Sequence, residues 1–532
     1  MSTPASGVPG TIARSKWLAL TAMMFAVAMT FIDQTIVAIA APDVQQELSL
    51  SSGGVTWMVN SYILALAAGF ALGGRIADVL GSKRVVLIGI IGFAVSSALC
   101  GATPASSLAE PWLIVFRVTQ GLSAALMIPA ALAVVVAAFP VGERGKALAI
   151  FFGVSGGLTA VGPIAGGYLT QWTWRAIFWI NLPIALVAVV LTIAAGIHTN
   201  ARREPIDWPG AFLVALGMAL SVLGFEQARS WGWDSPWTWA CIVGGLAVLV
   251  VFVRYELRTP HPLIKLQIFR GRAFAVDNGV LFFCMVAFIP VFFFASVYSQ
   301  VSLGYDASNA GLYLLCVFAG FAPAAQLGGR ILDERGPKPA LLLGGLVGAV
   351  GFTLWAQKIT DLSLGDQWWA IVLAGAGMGL LVGPASTDAT NRAIDASYGE
   401  VTGITQTVRN YGSALGLAVL GTVLGHVFSR RLTDSLTGFG VPPEQAAQIA
   451  AGASDSTSGR AAAGTASDIP AQVQAQIQSA VSADFALATQ WVLYGMAVAL
   501  GVCFLLALLH PGDRVVDASG QTSSGKPTPA AA

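Results

Sequence analysis

Five side chains fall where so apolar a sequence has least use for them: Asp33, Arg117, Gln120, Gln406 and Arg409. Asp33 lies in FIDQTIVAIAAP, residues 31–42, at the close of an apolar run that begins at Trp17 and holds no other charge. A carboxylate near the middle of a membrane-length helix costs about 2.5–3.5 kcal/mol on insertion scales. One use that offsets such a cost is exchange of a proton as the surroundings of the group change; simple pairing with a neighbouring helix is the alternative. Arg117 and Gln120 are three residues apart and share a helix face. A guanidinium inside a bilayer needs an acceptor or a wet cavity, so Arg117 reads either as part of a proton path or as a clamp between helices. Thr402, Gln406, Arg409 and Ser413 follow a 4, 3, 4 spacing that makes one polar stripe. Lipid contact would be costly for that stripe, which is expected to face a cavity between helix bundles, with a salt-bridged structural role as the rival.

The elements that position these residues are membrane spans. The chain is 55% hydrophobic and 10% charged, with a mean hydropathy of +0.72, whereas a soluble domain carries about 25% charged residues. That composition excludes a water-soluble globule. A net charge of +1 gives no basic field for nucleic acid. The five cysteines sit in apolar runs without CxxC spacing and the four histidines are scattered, so neither a disulfide framework nor a metal site is expected. Residues 1–16 do not read as a signal peptide, because the apolar stretch that follows is too long and has no A-x-A cleavage pattern.

With about 20 apolar residues per span, helices are expected near 17–41, 55–73, 85–103, 112–139, 146–170, 175–198, 209–227, 237–254, 273–299, 308–328, 339–357, 367–387, 400–428 and 484–509. Placing the N-terminus in the cytoplasm puts twenty of the 28 Lys and Arg residues on the inner side, in accord with the positive-inside rule, and both termini then face the cytoplasm. The chain divides into a cytoplasmic tail (1–16), a six-helix bundle (17–198), two inserted helices (209–254), a basic linker (255–272) and a second six-helix bundle (273–509). A long outside loop (429–483) interrupts the second bundle, with 469–481 as a possible interfacial helix, and 510–532 is expected to be a disordered tail.

An internal repeat supports the two-bundle division. GGRIADVLGSK at 73–83 and GGRILDERGPK at 328–338 agree at seven of eleven positions, each following a span. Such repeats mark transporters built from two related bundles around a midplane site. Asp78 near Lys83 and Arg84, and Asp333 near Arg335, form charge clusters able to latch helix ends in one conformation and release them in another; solvated topology determinants are the plainer reading.

GGRIADVLGSKRVVL resembles the loop signature of the major facilitator superfamily, with Val79 and Ser82 in place of basic residues. Fourteen spans with an inserted pair are similar to the fourteen-helix drug:proton antiporter branch of that family. IDQTIVAIAAP resembles the branch's first-helix motif, with Ala38 where Asn is usual, and LIVFRVTQGLSAALMIP (113–129) its fourth-helix motif. The run at 153–168 resembles the antiporter signature of helix 5 through Gly162, Pro163, Gly166 and Gly167, and 402–416 the R-x-x-G-x-A-L-G run.

The resemblance implies an all-α membrane protein of the major facilitator fold. It further implies that Asp33 takes part in substrate recognition and proton coupling, Arg117 in proton transfer, and the helix-5 glycines and Pro163 in export. Gln120, Gln406 and Arg409 join Asp33 as candidates for the substrate cavity. The expected activity is proton-driven efflux of lipophilic compounds, cationic ones among them, across the cytoplasmic membrane. No enzyme activity, cofactor, nucleotide or nucleic-acid partner is expected, and the chain reads as a monomer in the bilayer. An exporter of one endogenous metabolite, lipid or amino acid, and a membrane receptor or scaffold that moves nothing, stay open. The acids Glu226, Asp277, Asp388 and Asp395 read mostly as interfacial. The aromatic run FIPVFFF (288–294) reads as cavity lining or as lipid-facing surface. GQTSSGK (520–526) has P-loop spacing but precedes Pro527 and lacks the flanking strand and helix.

Overall fold

A computed structural model describes residues 16–139, 147, 150–151, 161–197, 206–260, 262–263, 266–392, 398–455 and 471–513. Among the described residues every regular element is helical. The first half comprises α1 (Lys16–Leu48), α2 (Ser52–Leu80), α3 (Ser82–Gly101), α4 (Ala109–Ala138), α5 (Val161–Trp172), the short α6 (Ala176–Trp179) and α7 (Asn181–Ala194). A hairpin of α8 (Trp208–Trp231) and α9 (Pro236–Glu256) follows. The second half holds α10 (Arg272–Val301), α11 (Ala307–Arg335), α12 (Pro337–Lys358), α13 (Leu364–Asn391), α14 (Tyr398–Gly438), α15 (Pro443–Asp455) and α16 (Ala471–Leu508).

Local chemistry sets the helix starts. Ser51, Asp207 and Asp306 accept hydrogen bonds from the amides of Gly54, Gly210 and Asn309 at 2.9, 3.0 and 2.9 Å, capping α2, α8 and α11. Pro236 and Pro337 open α9 and α12, where a missing amide hydrogen costs nothing. The two copies of the sequence repeat make the same turn. Gly81 (φ +88°) joins α2 to α3 and Gly336 (φ +85°) joins α11 to α12, in a backbone region that only glycine adopts freely.

The two halves repeat one packing scheme. In the first, α4 packs on α2 and α3, and α1 on α5 and α7; in the second, α13 packs on α11 and α12, and α10 on α14 and α16. Glycines set the closest approaches. A side chain at Gly162 or Gly166 of α5 would press on α1 at Ile32 and Ile36, and one at Gly412 or Gly416 of α14 on the α10 carbonyls of Phe282 and Val286. Gly121 of α4 meets the Tyr62 carbonyl of α2, as Gly375 of α13 meets that of Val317 in α11. Without a hydrophobic drive between helices in lipid, such small-residue contacts carry much of the association.

The α8–α9 hairpin lies against α2 and α14, one helix from each half. Ser221 and Tyr411 share a hydroxyl–hydroxyl bond of 2.7 Å there, and Thr422 donates to the Phe225 carbonyl at 2.9 Å. At the end opposite Gly81 and Gly336 the halves are stitched together. Gln300 donates to the Ile39 carbonyl at 3.4 Å, Ser308 to that of Gly167 at 3.1 Å, and Gln171 to Ser308.

Thirteen helices among the described residues are long and apolar enough to span a membrane. Of the span expected at 146–170, residues 147, 150–151 and 161–170 are described, the last group as the start of α5; residues 152–160, with Gly153 and Gly157, lie outside the described residues. Three expectations about the C-terminal part need correction. The described residues of 429–483 are largely helical: α14 continues to Gly438, α15 follows, and α16 begins at Ala471 and runs straight into the last span. Ala- and Gln-rich sequence has high helix propensity, and it wins over the loop reading. Nor does a disordered tail begin at residue 510, because His510 is 1% exposed and packed. Asp277 and Asp388, read as interfacial, do lie near helix ends but are buried within the protein rather than open to water.

Candidate functional site

Asp33 of α1 is held by two side chains of α4, one of which is tied in turn to α2. Arg117 of α4 donates from Nη1 to Asp33 Oδ2 at 2.5 Å, and Gln120, one turn along, donates from Nε2 to Asp33 Oδ1 at 3.0 Å. The three-residue spacing puts both donors on one face, as the sequence implied. Arg117 also donates to Gln120 Oε1 at 2.8 Å and, through Nε, to the Met58 carbonyl of α2 at 2.8 Å. Its guanidinium lies 4.4 Å from the centre of the Tyr62 ring. Asp33 and Gln120 have no exposed surface and Arg117 is 1% exposed. Each carboxylate oxygen therefore has one donor, and the buried pair carries no net charge.

The helix-5 glycines lie directly behind this turn. A Cβ built at Gly162 would fall 3.0 Å from the Ile32 carbonyl oxygen and 3.1 Å from the Ile36 nitrogen, flanking Asp33 on α1. Gly166 does the same one turn on, 3.2 Å from the Ile36 carbonyl oxygen, while the Gly167 carbonyl accepts the bond from Ser308 of α11. Pro163 lies within α5 and its side chain is outside the described set. The residues that fix α5 thus touch both the turn carrying the carboxylate and the seam between the halves.

Arg409 and Gln406 of α14 pair with each other, Nη1 to Oε1 at 2.7 Å, and Ser413 donates to the Arg409 carbonyl at 3.2 Å. Gln406 is buried and Arg409 half-buried; the Thr402 side chain is outside the described set. The structure therefore gathers Asp33, Arg117 and Gln120 into one cluster and leaves Gln406 and Arg409 as a separate pair on another helix. Of the expected latch residues, Asp78, Arg84, Asp333 and Arg335 are exposed and Lys83 is half-buried, all close to the Gly81 and Gly336 turns. The run 288–294 faces neither lipid nor solvent. All seven residues are buried, and Phe292 stacks on Phe318 of α11 at 5.0 Å between ring centres.

One group escaped the sequence. Asp277 near the start of α10, Asp388 near the end of α13 and His510 just past α16 are buried together. No local spacing links residues so far apart in the chain. The one available signal was a pair of acids just inside apolar windows. The side chain of Glu226, and all of Asp395, lie outside the described set.

Residues 23–417 match the family profile described as Major Facilitator Superfamily. The tetracenomycin C resistance and export protein of Streptomyces glaucescens is 33% identical over 443 residues, covering 81% of this chain and 80% of that protein. The multidrug transporter protein MdtP of Bacillus subtilis is 30% identical over 445 residues, covering 82% and 80%. Among solved structures, the inward-facing, unoccupied form of a bacterial homologue of the human lysosomal transporter Spinster superposes with a TM-score of 0.62 at 18% identity, covering 94% of this chain and 99% of that one.

Proposed function

The chain belongs to the major facilitator superfamily, as a multi-pass protein of the cell membrane, and on that premise we propose that it exports lipophilic drug-like or antibiotic compounds in exchange for protons. The export reading draws on relatives named for resistance and export. The observation that carries the coupling is the Asp33–Arg117–Gln120 cluster, a fully buried carboxylate with one donor on each oxygen.

A proton added to Asp33 cancels the charge that balances Arg117. The guanidinium then keeps only the neutral acceptors Met58 O and Gln120 Oε1. An uncompensated buried cation costs several kcal/mol, so protonation favours a conformation in which Arg117 reaches water or another acceptor. In the conformation described, Asp33 meets no solvent; the proton enters and leaves in other states of the cycle. The Gly162–Gly166 contact with α1 and the Gly167–Ser308 bond give the shift a route to the seam between the halves. Competition between proton and substrate for one charge-balanced site makes exchange obligatory. Substrates meet the buried aromatic surface around Phe288, Phe292, Phe318 and Phe321 when the halves part.

The test is substrate-driven proton movement in liposomes holding the purified protein, with several chemically distinct dyes. Transport of several dyes with proton counter-movement is the expected result, and proton movement that persists in Asp33→Asn contradicts the assignment. A narrower reading, export of one compound, is favoured by a relative named for a single antibiotic; a resistance panel with one responding compound would select it.

A further inference from the structure

The buried acids of the second half form a group that the export cycle proposed above leaves unused. Asp277 is completely buried, and neither of its carboxyl oxygens has a hydrogen-bond donor. Asp388, 3% exposed, accepts from Arg392 Nε at 2.6 Å. His510 Nε2 lies 3.3 Å from Asp388 Oδ2 and 3.6 Å from Asp277 Oδ1. One polar atom from each of the three residues lies within 4.8 Å of the other two.

The ring orientation decides what this group can hold. His510 Nδ1 accepts the Gly512 amide hydrogen at 3.0 Å, so the neutral ring carries its proton on Nε2, between the two carboxyls. A metal would need the Nε2 lone pair with Nδ1 donating to an acceptor, the reverse of this arrangement. A proton fits. Placed on Asp277, it turns a donorless carboxylate into a hydroxyl that can donate towards Asp388.

The charged and titratable groups around Asp277 come from several helices. They are Asp388 and Arg392 of α13, His510 and Asp513 past α16, and, further along α10, Arg409 of α14, which faces Cys284. Arg272, at the start of α10 itself, is exposed. The same junction holds the end of α16 in place. Arg392 donates to the Asp513 carbonyl at 2.9 Å, and Gly512 (φ +82°) sits against the aliphatic stem of Lys338 in the Gly336 repeat loop.

We propose that Asp277, Asp388 and His510 form a second proton-binding site, which when loaded latches the ends of α10, α13 and α16 beside the Gly336 loop and when empty releases residues 510–513. Loss of the proton sets two buried carboxylates against each other with only the His510 Nε2 hydrogen between them, which bonds to neither; their repulsion parts α10 from α13 and opens the junction that carries His510. The site is separate from Asp33, and its role stands whether or not Asp33 couples export.

The test uses the full chain in lipid nanodiscs. Infrared spectra taken across a pH titration are expected to show a carboxylic-acid C=O band that disappears as pH rises, is missing in Asp277→Asn and survives in Asp33→Asn. Hydrogen exchange of the segment after Leu508 is expected to rise about tenfold beyond its intrinsic pH dependence as the band is lost, and to stay slow at every pH in Asp277→Asn. Should that variant fail to fold, His510→Gln must move the pH at which the band disappears. The proposal is overturned by a band unchanged in a folded Asp277→Asn protein, by exchange that follows intrinsic chemistry in the wild type, or by a band unmoved in His510→Gln. Stoichiometric binding of Zn2+ or Mn2+ that Asp277→Asn abolishes would likewise overturn it, in favour of a metal centre.

Discussion

The two halves share one packing plan but keep their buried charges at different depths. The glycine contacts define equivalent positions. The step from Ile32 to Asp33 on α1 corresponds to that from Phe282 to Phe283 on α10, because Gly162 and Gly412 meet the two helices in the same way. Counting back from Gly121 and Gly375 likewise pairs Arg117 with Ile371 and Gln120 with Ala374. Where the first half has a carboxylate, a guanidinium and an amide, the second has Phe283, Ile371 and Ala374. The reverse holds at the end bearing the repeat loops. The counterparts of Asp277 and Asp388 are Val27 and Val134, both buried. Helix packing therefore does not call for either charge cluster, since the same scheme closes with apolar residues in the other half. The glycines hold the fold, and the charges are additions with their own purpose.

The largest expected effect comes from unbalancing the first cluster. Arg117→Ala strands the Asp33 carboxylate and is expected to cost about 3–5 kcal/mol of stability and to abolish transport, whereas Ile371→Val at the equivalent place costs about 0.5–1.5 kcal/mol and leaves exchange intact. Thermal unfolding in detergent together with a transport assay reads both. Equal losses from the two would erase the contrast between the halves.

The glycine contacts test the shared plan. Gly162→Ala and Gly412→Ala press a methyl group against α1 and α10, and each is expected to cost about 1–3 kcal/mol. A loss confined to one half would show that the packing equivalence is only apparent. Gln120→Leu leaves Asp33 Oδ1 without its donor and is expected to cost about 1–3 kcal/mol, again read by thermal unfolding. The smallest effect is expected at the repeat loops. Arg84→Ala and Arg335→Ala change exposed side chains and should alter stability by no more than about 0.5 kcal/mol. Lost transport without lost stability in both would give the loops a part in switching between states.

What could be read in advance divides along the same line. The loops around Gly81 and Gly336 were legible because each is one short stretch, repeated in sequence and in turn geometry. Asp33 and Arg117 stood out singly, as charges inside apolar runs. Their contact did not, because it depends on the register of α1 against α4, two helices far apart in the chain that pack directly on each other. The group of Asp277, Asp388 and His510 was hidden for the same reason: each residue lies near a helix end and looks solvent-facing until three helix ends converge. Beyond Phe428 the sequence reads as the long outside loop, yet α14 continues to Gly438 with one side packed, Leu432 and Leu436 being fully buried.

In the export cycle proposed, the charge cluster of the first half, and not its apolar counterpart, ties transport to protons. The most direct measurement counts protons entering and substrate leaving in the same liposomes, for the wild type, Asp33→Asn and Ile371→Val. A fixed ratio of the two fluxes is expected in the wild type and in Ile371→Val, and no proton flux in Asp33→Asn. An unchanged ratio in Asp33→Asn would contradict that cycle.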